Sequence, residues 1–245
     1  EKLLQLLNIA TIQHNVSSIE FRKEVFSSID FKAIVRSCIR EHMEELFAAQ
    51  LTEDVVLQDL ESIVDPAVEW THEAFYHRQP EVIGGNMNDK IAVSGIVGVE
   101  EVLWSPILGI KGQIDLVAKS GMSFNKSFLP IELKTGVSSA NAVMTHKAQV
   151  ILYCLMLAVR DFCSDDQHTL SASSMSGLLL YFNGGEAKSI VVKPAWADVK
   201  ALLMLRNSLA FYMYKGATST SSDGQNRSTL PPLIKNEKSC RYCFQ

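Results

Sequence analysis

The hydrophobic period changes several times along this chain, and those changes limit what can pack against what. In DFKAIVRSCIREHMEELFAAQL, apolar residues recur at Phe31, Ile34, Val35, Cys38, Ile39, Met43, Leu46 and Phe47. That is a helical spacing with charges on the other face. A second helix is predicted over DVVLQDLESIVDPAVEWTHEAF, where Pro66 either kinks it or starts a new segment. After the turn residues GGNMND, from Gly84, the pattern shortens, and KIAVSGIVGVEEVLW, GQIDLVA and FLPIEL read as strands joined by turns. SSANAVMTHKAQVILYCLMLAVRDF returns to helix, with Ser139 or Asn141 as N-cap. SGLLLYFNGGEAKSIVVKP is predicted as a hairpin turning at Asn183, Gly184 and Gly185. ADVKALLMLRNSLAFYMYKG is an amphipathic helix with Gly216 as its stop. No internal repeat occurs. The fold class expected is α/β, a mixed central sheet flanked by helices, with a helical lobe over residues 1–80 and a core over residues 81–216.

With 245 residues, 47% of them apolar, the chain has material for a sizeable core, as one large domain or two small ones. No apolar run approaches the roughly 20 residues that cross a bilayer, so no membrane partner is expected. EKLLQLLNIATIQ lacks the basic start and cleavage site of a signal peptide. It reads as the inside of a helix, so the expectation is a piece of a longer chain. Five cysteines, an odd number, point to a reducing compartment. A net charge of -4 leaves no whole-chain footprint for nucleic acid, although a basic path can be local and metal-binding carboxylates lower the total.

The chemistry lies where charges interrupt the strand-like runs. Asp115 sits inside QIDLVA, in a strand beginning near Gln113, and Glu132 and Lys134 sit inside LPIELKTG. Adjacent antiparallel strands can bring two such acids side by side. Two facing carboxylates resist ionisation unless a cation separates them, and a hard ion with oxygen ligands, Mg²⁺ or Mn²⁺, does that. The strand period of two puts Glu132 and Lys134 on one face, where an ammonium can stabilise charge on an attacked phosphate. The plainer alternative is an edge-strand salt bridge between Asp115 and Lys134. On the next helix, Gln149 and Tyr153 are four apart and share a face within an apolar run. A buried Gln needs partners, which a strand edge bearing acids could supply; the alternative is a Gln capping a sheet edge and a Tyr in the core.

Asp115, Glu132-x-Lys134 and Gln149-x-x-x-Tyr153 resemble the RecB-like branch of the PD-(D/E)xK nucleases. Within it the likeness is closest to the nuclease regions of the flap-processing helicase/nucleases of eukaryotic DNA replication. The stretches EEVLWSPILGIKGQID, LPIELKTG, HKAQVILY, GLLLY, LRNSLAF and LPPLIKNEKSCRYC carry it in family order, over roughly residues 91–245. The resemblance implies a restriction-endonuclease-like core. It implies metal ligation by Asp115, Glu132 and the Leu133 carbonyl, a catalytic role for Lys134, and Gln149 and Tyr153 placing the metal shell and the strand being cut. The substrate implied is single-stranded or flap DNA, the partner the single-stranded-DNA-binding replication protein A, and the location the nucleus, with the mitochondrion as a second.

Two departures stand out. The family's early-helix His has its nearest counterpart in FRKEVF, where Lys23 takes the His position and Glu24 alone matches as a metal candidate. The resemblance also makes Cys240 and Cys243 two ligands of a [4Fe–4S] cluster whose other two cysteines are not in this chain; alone, one Cys-x-x-Cys is equally half a zinc site or two free thiols. Residues 217–245 are then a polar linker and a partial cluster motif. Cys38, Cys154 and Cys163 read as structural. Lys111, Lys119, Lys126, His146, Lys147 and Arg206 are candidates for a DNA path, against the duller reading of solvated surface groups. Trp104 and Tyr181 either stack bases or are buried, and Glu100 and Glu101 either border the metal site or are solvated. No P-loop motif occurs, and the resemblance puts a helicase motor in further sequence downstream. The competing functions are a single-stranded-DNA-binding module without turnover and a different RecB-like nuclease acting in recombination.

Overall fold

The computed structural model describes residues 31–76, 93–120, 127–136, 139–164, 175–183 and 185–218. The readings made for Lys23, Glu24, the turn at Gly84, Lys126, the polar linker, Cys240 and Cys243 lie outside them. The chain divides into two compact units, Glu1–Trp196 and Ala197–Gln245.

The first unit opens with α1 (Phe31–Glu41), α2 (Met43–Ala48) and α3 (Glu53–Tyr76). The periodicity predicted one helix where the structure has α1 and α2. The chain leaves helical geometry at His42, with φ −116° and ψ 23°. The imidazole Nδ1 of His42 sits 2.9 Å from the Cys38 carbonyl at that break, a local side-chain bond that competes with the helical ladder. Pro66 neither stops nor divides α3, which runs through it. The cost, a missing backbone donor and a ring crowding the preceding turn, about 3 kcal/mol, is offset by the burial of Pro66 and its neighbours Ala67 and Trp70.

Five strands follow: β1 (Val93–Ser105), β2 (Ile110–Ser120), β3 (Ser127–Thr135), β4 (Gly177–Asn183) and β5 (Glu186–Val192). They pair in the order β1-β2-β3-β4-β5. The β3–β4 pair is parallel and the others are antiparallel, so the sheet is mixed as expected. The parallel pair exists because α4 (Ala140–Ser164) carries the chain back between β3 and β4. Ser139 is the N-cap, its Oγ accepting the Ala142 N–H at 3.2 Å. The β4–β5 hairpin forms where predicted, with Gly185 at φ 86° supplying the left-handed turn residue. Strand β2 starts at Ile110, earlier than expected, because the β1–β2 turn closes at Gly109 (φ 62°).

Helices cover the two faces of the sheet differently. α3 packs on Leu116, Ala118, Leu129, Ile131, Leu178, Leu180 and Phe182 through Ala67 and Trp70. Strand alternation sends the intervening side chains to the α4 side. There a Cβ on Gly177 would come within 2.3 Å of Val150, and one on Gly112 within 2.8 Å of the Tyr153 ring. Those two glycines set how closely α4 can lie on the sheet. By length and apolarity, Ala140–Asp161 within α4 is sufficient to cross a bilayer, which the sequence reading missed. Its Val150, Tyr153, Cys154, Met156 and Leu157 are buried, as in the core helix of a sheet.

In the second unit, α5 (Trp196–Thr218) runs through Gly216, which was expected to stop it. Gly216 is not among the glycines with positive φ, so no left-handed stop forms there. A helical Gly costs about 1 kcal/mol relative to Ala, too little to end a helix alone.

Candidate functional site

The β2–β3 ladder ends at Leu116 and Ile131, and one step further Asp115 and Glu132 occupy facing register positions. There the Leu133 N–H turns to the Asp115 carboxylate, donating to Oδ2 at 2.7 Å. The acid thus takes the place of a ladder carbonyl, which is how a strand tolerates it. Glu132 is 1% exposed, the only acid among the buried residues described. Burial pushes its carboxyl above the usual range; the Lys134 hydrogen bond works against this, and the Asp115 charge adds to it. The two acids therefore feel one another, as the strand reading required.

Lys134 Nζ donates to Glu132 Oε1. The alternative salt bridge from Lys134 to Asp115 is not the one that forms. Glu132 Oε2 is fully buried and has no hydrogen-bond partner among the described residues. An unpaired, buried carboxylate oxygen costs on the order of 1–3 kcal/mol or more, so it calls for a ligand.

α4 lays polar groups over this edge. Gln149 lies close enough to Glu132 to lower its pKa, and donates through Nε2 to the Tyr153 hydroxyl at 2.8 Å. That hydroxyl donates to the Gln113 carbonyl at 2.6 Å. Burial raises the Tyr153 pKa, partly offset by Gln149, and Glu132, Asp115 and Glu100 reinforce the rise. Tyr153 is buried, and its hydroxyl and Gln149 lie over the strand edge that carries the acids. One turn earlier, His146 Nδ1 lies 2.7 Å from the Tyr181 hydroxyl. Tyr181 pairs in register with Lys134.

The remaining candidates divide. Glu100 has φ 52° and accepts from Gln113 Nε2 at 2.5 Å. It stands where β1 would pair with Asp115, between the Val99–Leu116 and Glu101–Ile114 pairs. A left-handed Glu inside a strand could not have been foreseen from its composition. Glu101 is tied to Arg160 at 2.6 Å and is structural. Trp104 is 77% exposed and pairs with Lys111, whereas Tyr181 is buried. Lys111, Lys119 and Lys147 are exposed, and Arg206 belongs to the second unit. Cys38 is half-buried; Cys154 is buried, which pushes its thiol up to about 12 and makes it inert.

All donors at the acid pair are oxygens, the donor set of a hard cation. Among the described residues no three of His, Cys, Asp and Glu stand together to hold a metal. The protein's share would be Asp115, Glu132 and the Leu133 carbonyl. That suits Mg²⁺, which often takes one or two carboxylates and keeps waters or phosphate oxygens for its other positions.

The family model described as DNA replication factor Dna2 matches residues 5–120. The chain is similar to that family over those residues, just under half of its length. The DNA replication ATP-dependent helicase/nuclease DNA2 of Bos taurus is 28% identical over 259 residues, covering 97% of this chain and 23% of that protein. The Homo sapiens protein of the same name gives 28% over 259 residues, again 97% and 23%. The DNA replication ATP-dependent helicase/nuclease JHS1 of Arabidopsis thaliana is 28% identical over 246 residues, covering 96% of this chain and 17% of its own length. The chain therefore spans under a quarter of these relatives. A solved structure titled "Crystal structure of SSO0001" covers 85% of this chain and is itself covered to 76%, with 16% identity and a TM-score of 0.32, too distant to define the fold.

Proposed function

We propose that this chain is the nuclease region of a larger replication enzyme, a divalent-metal-dependent endonuclease hydrolysing single-stranded or flap DNA. The observation that supports this most is the buried Glu132 carboxylate, with one oxygen on Lys134 and the other unpaired, beside Asp115. A Mg²⁺ or Mn²⁺ ion held by Asp115, Glu132 and the Leu133 carbonyl would supply Lewis-acid activation and charge neutralisation at the phosphate. Asp115 is oriented for this by the Leu133 N–H. Lys134, anchored on Glu132 and a quarter exposed, presents ammonium charge to a phosphate whose negative charge grows during attack. Gln149 and Tyr153, linked to one another and to the Gln113 carbonyl, set a fixed polar wall over the strand edge that carries the acids.

The test is cleavage of a flapped oligonucleotide with Mg²⁺, comparing the unaltered protein with Glu132→Ala. Cleavage that disappears in the variant and in chelator is expected; equal cleavage by both proteins would refute the proposal. The second reading is a DNA-binding module without turnover, favoured by the absence of a third metal-binding group among the described residues. It predicts salt-dependent binding of single strands and no product at any metal concentration. The cluster role of Cys240 and Cys243, the replication protein A partner and the nuclear or mitochondrial location rest on the motif resemblance alone.

A further inference from the structure

Beside the acid pair, on the same α4-covered face, lies a second group of polar side chains that the cation does not account for. Tyr181 is 3% exposed, yet its hydroxyl is not wasted: it meets His146 Nδ1 at 2.7 Å. The two rings stand 5.8 Å apart at 42°, a tilted contact that fixes the imidazole plane. Tyr181 is also the register partner of Lys134 on the parallel neighbouring strand. Lys134, Tyr181 and His146 therefore form a row from β3 through β4 to α4, starting at the amine that Glu132 anchors.

A phenol is a far better donor to a neutral imidazole nitrogen than an acceptor competing with water. With the Tyr181 O–H directed at Nδ1, the ring proton resides on Nε2. Burial, reinforced by the nearby Lys134 charge, keeps His146 below the usual imidazole pKa and so favours the neutral ring. His146 is only half-buried. No hydrogen bond to Nε2 occurs among the described residues. The row thus offers one anchored cation and one oriented neutral N–H, with no carboxylate of its own beyond Glu132. That chemistry suits a phosphodiester oxygen. A carboxylate ligand would meet the same donors, but the neighbouring acids Asp115 and Glu132 favour a ligand whose charge a cation partly neutralises.

We propose that His146, oriented by Tyr181, donates its Nε2–H to a phosphate of the bound DNA strand next to the one that Lys134 faces. The proposal rests on the nuclease reading for which face the strand occupies, but concerns binding rather than cleavage. His146 is the group that touches DNA; Tyr181 is buried and acts through it as a positioning residue. A Tyr181→Phe substitution should therefore weaken DNA binding, although the ring it alters lies where no nucleotide reaches.

The experiment measures single-stranded oligonucleotide affinity in chelator, so that no turnover is needed, for the unaltered protein, His146→Gln, Tyr181→Phe and the pair together. Each single variant is expected to lose about three- to tenfold in Kd, the size of a typical net hydrogen bond, and the double variant no more than the larger single loss. In a cleavage assay the loss should fall on KM more than on kcat. Nitrogen-15 spectra of the histidine ring give an independent reading that does not depend on a substituted protein folding: the Nε2–H tautomer is expected, and its Nε2 signal should move on adding the oligonucleotide. The Nδ1–H tautomer, unchanged affinity in His146→Gln, or additive losses would each overturn the proposal. If the unaltered protein binds as described but never cuts, the nuclease reading fails while this one stands; if it cuts and His146→Gln binds normally, the reverse holds.

Discussion

The two faces of the one sheet are built on opposite rules. Towards α3 the strands present Leu116, Leu129, Ile131, Leu178 and Leu180, all with no exposed surface, and Trp70 Nε1 donates to Ser189 Oγ at 3.1 Å. Towards α4 the same strands present Glu132, Lys134 and Tyr181, met by His146, Gln149 and Tyr153. Both faces are covered by helix, so burial alone does not separate them. The difference is that the α3 face is apolar and closed, whereas the α4 face leaves Glu132 Oε2 without a partner among the described residues. A fold that stabilises itself on one side can carry an unsatisfied, costly site on the other.

That contrast can be broken by substitution. Leu180→Ala, on the α3 side, should cost about 2–5 kcal/mol of stability by urea unfolding, with DNA affinity of the remaining folded protein unchanged. Lys134→Ala should act first on chemistry: cleavage falls on the order of 10²–10³-fold in single-turnover assays, alongside a stability loss of about 1–3 kcal/mol because buried Glu132 loses its partner. Gly177→Ala tests how tightly the polar face is closed. Its Cβ would meet Val150 at 2.3 Å, so overpacking should destabilise the protein by about 1–3 kcal/mol and displace α4, weakening cleavage as well.

The smallest expected effect separates the two faces most sharply. Burial raises the Glu132 pKa above its ordinary value of 4.5, so the folded state holds that proton more tightly than the unfolded chain does. In chelator, stability should therefore be greater below pH 4.5 as far as this group is concerned, and should fall as pH rises from there through the raised value. Glu132→Gln removes that dependence and should raise stability at neutral pH by about 1 kcal/mol, read by thermal melts across pH. Adding Mg²⁺ should stabilise the unaltered protein and not the variant. A variant less stable than its parent in chelator would mean that the face is satisfied without an ion.

Most of the fold was legible because short-range pattern decides it. The period switch separated the helices from the strands, Ser139 announced the start of α4, and the strand alternation around Glu132-x-Lys134 placed both on one face. The errors came where a local signal was outweighed. Gly216 read as a stop, but a helical Gly costs only about 1 kcal/mol, and Pro66, read as a kink or a new start, does not start a new segment: the helix continues through it although an interior Pro costs about 3 kcal/mol. His42 broke a helix whose period runs on, through a bond that pattern does not encode.

By itself the sequence determined the order of elements, the acids carried in paired strands, and the helix bearing Gln149 and Tyr153, since each depends on residues a few positions apart. Tertiary structure alone decided that Lys134 would bond Glu132 rather than Asp115, that Trp104 would be exposed and Tyr181 buried, that Tyr181 would meet His146 from across the parallel pair, and that Glu132 would keep one bare oxygen. Those outcomes turn on distances between segments far apart in the chain and on which atoms water can no longer reach, and no local periodicity carries either quantity.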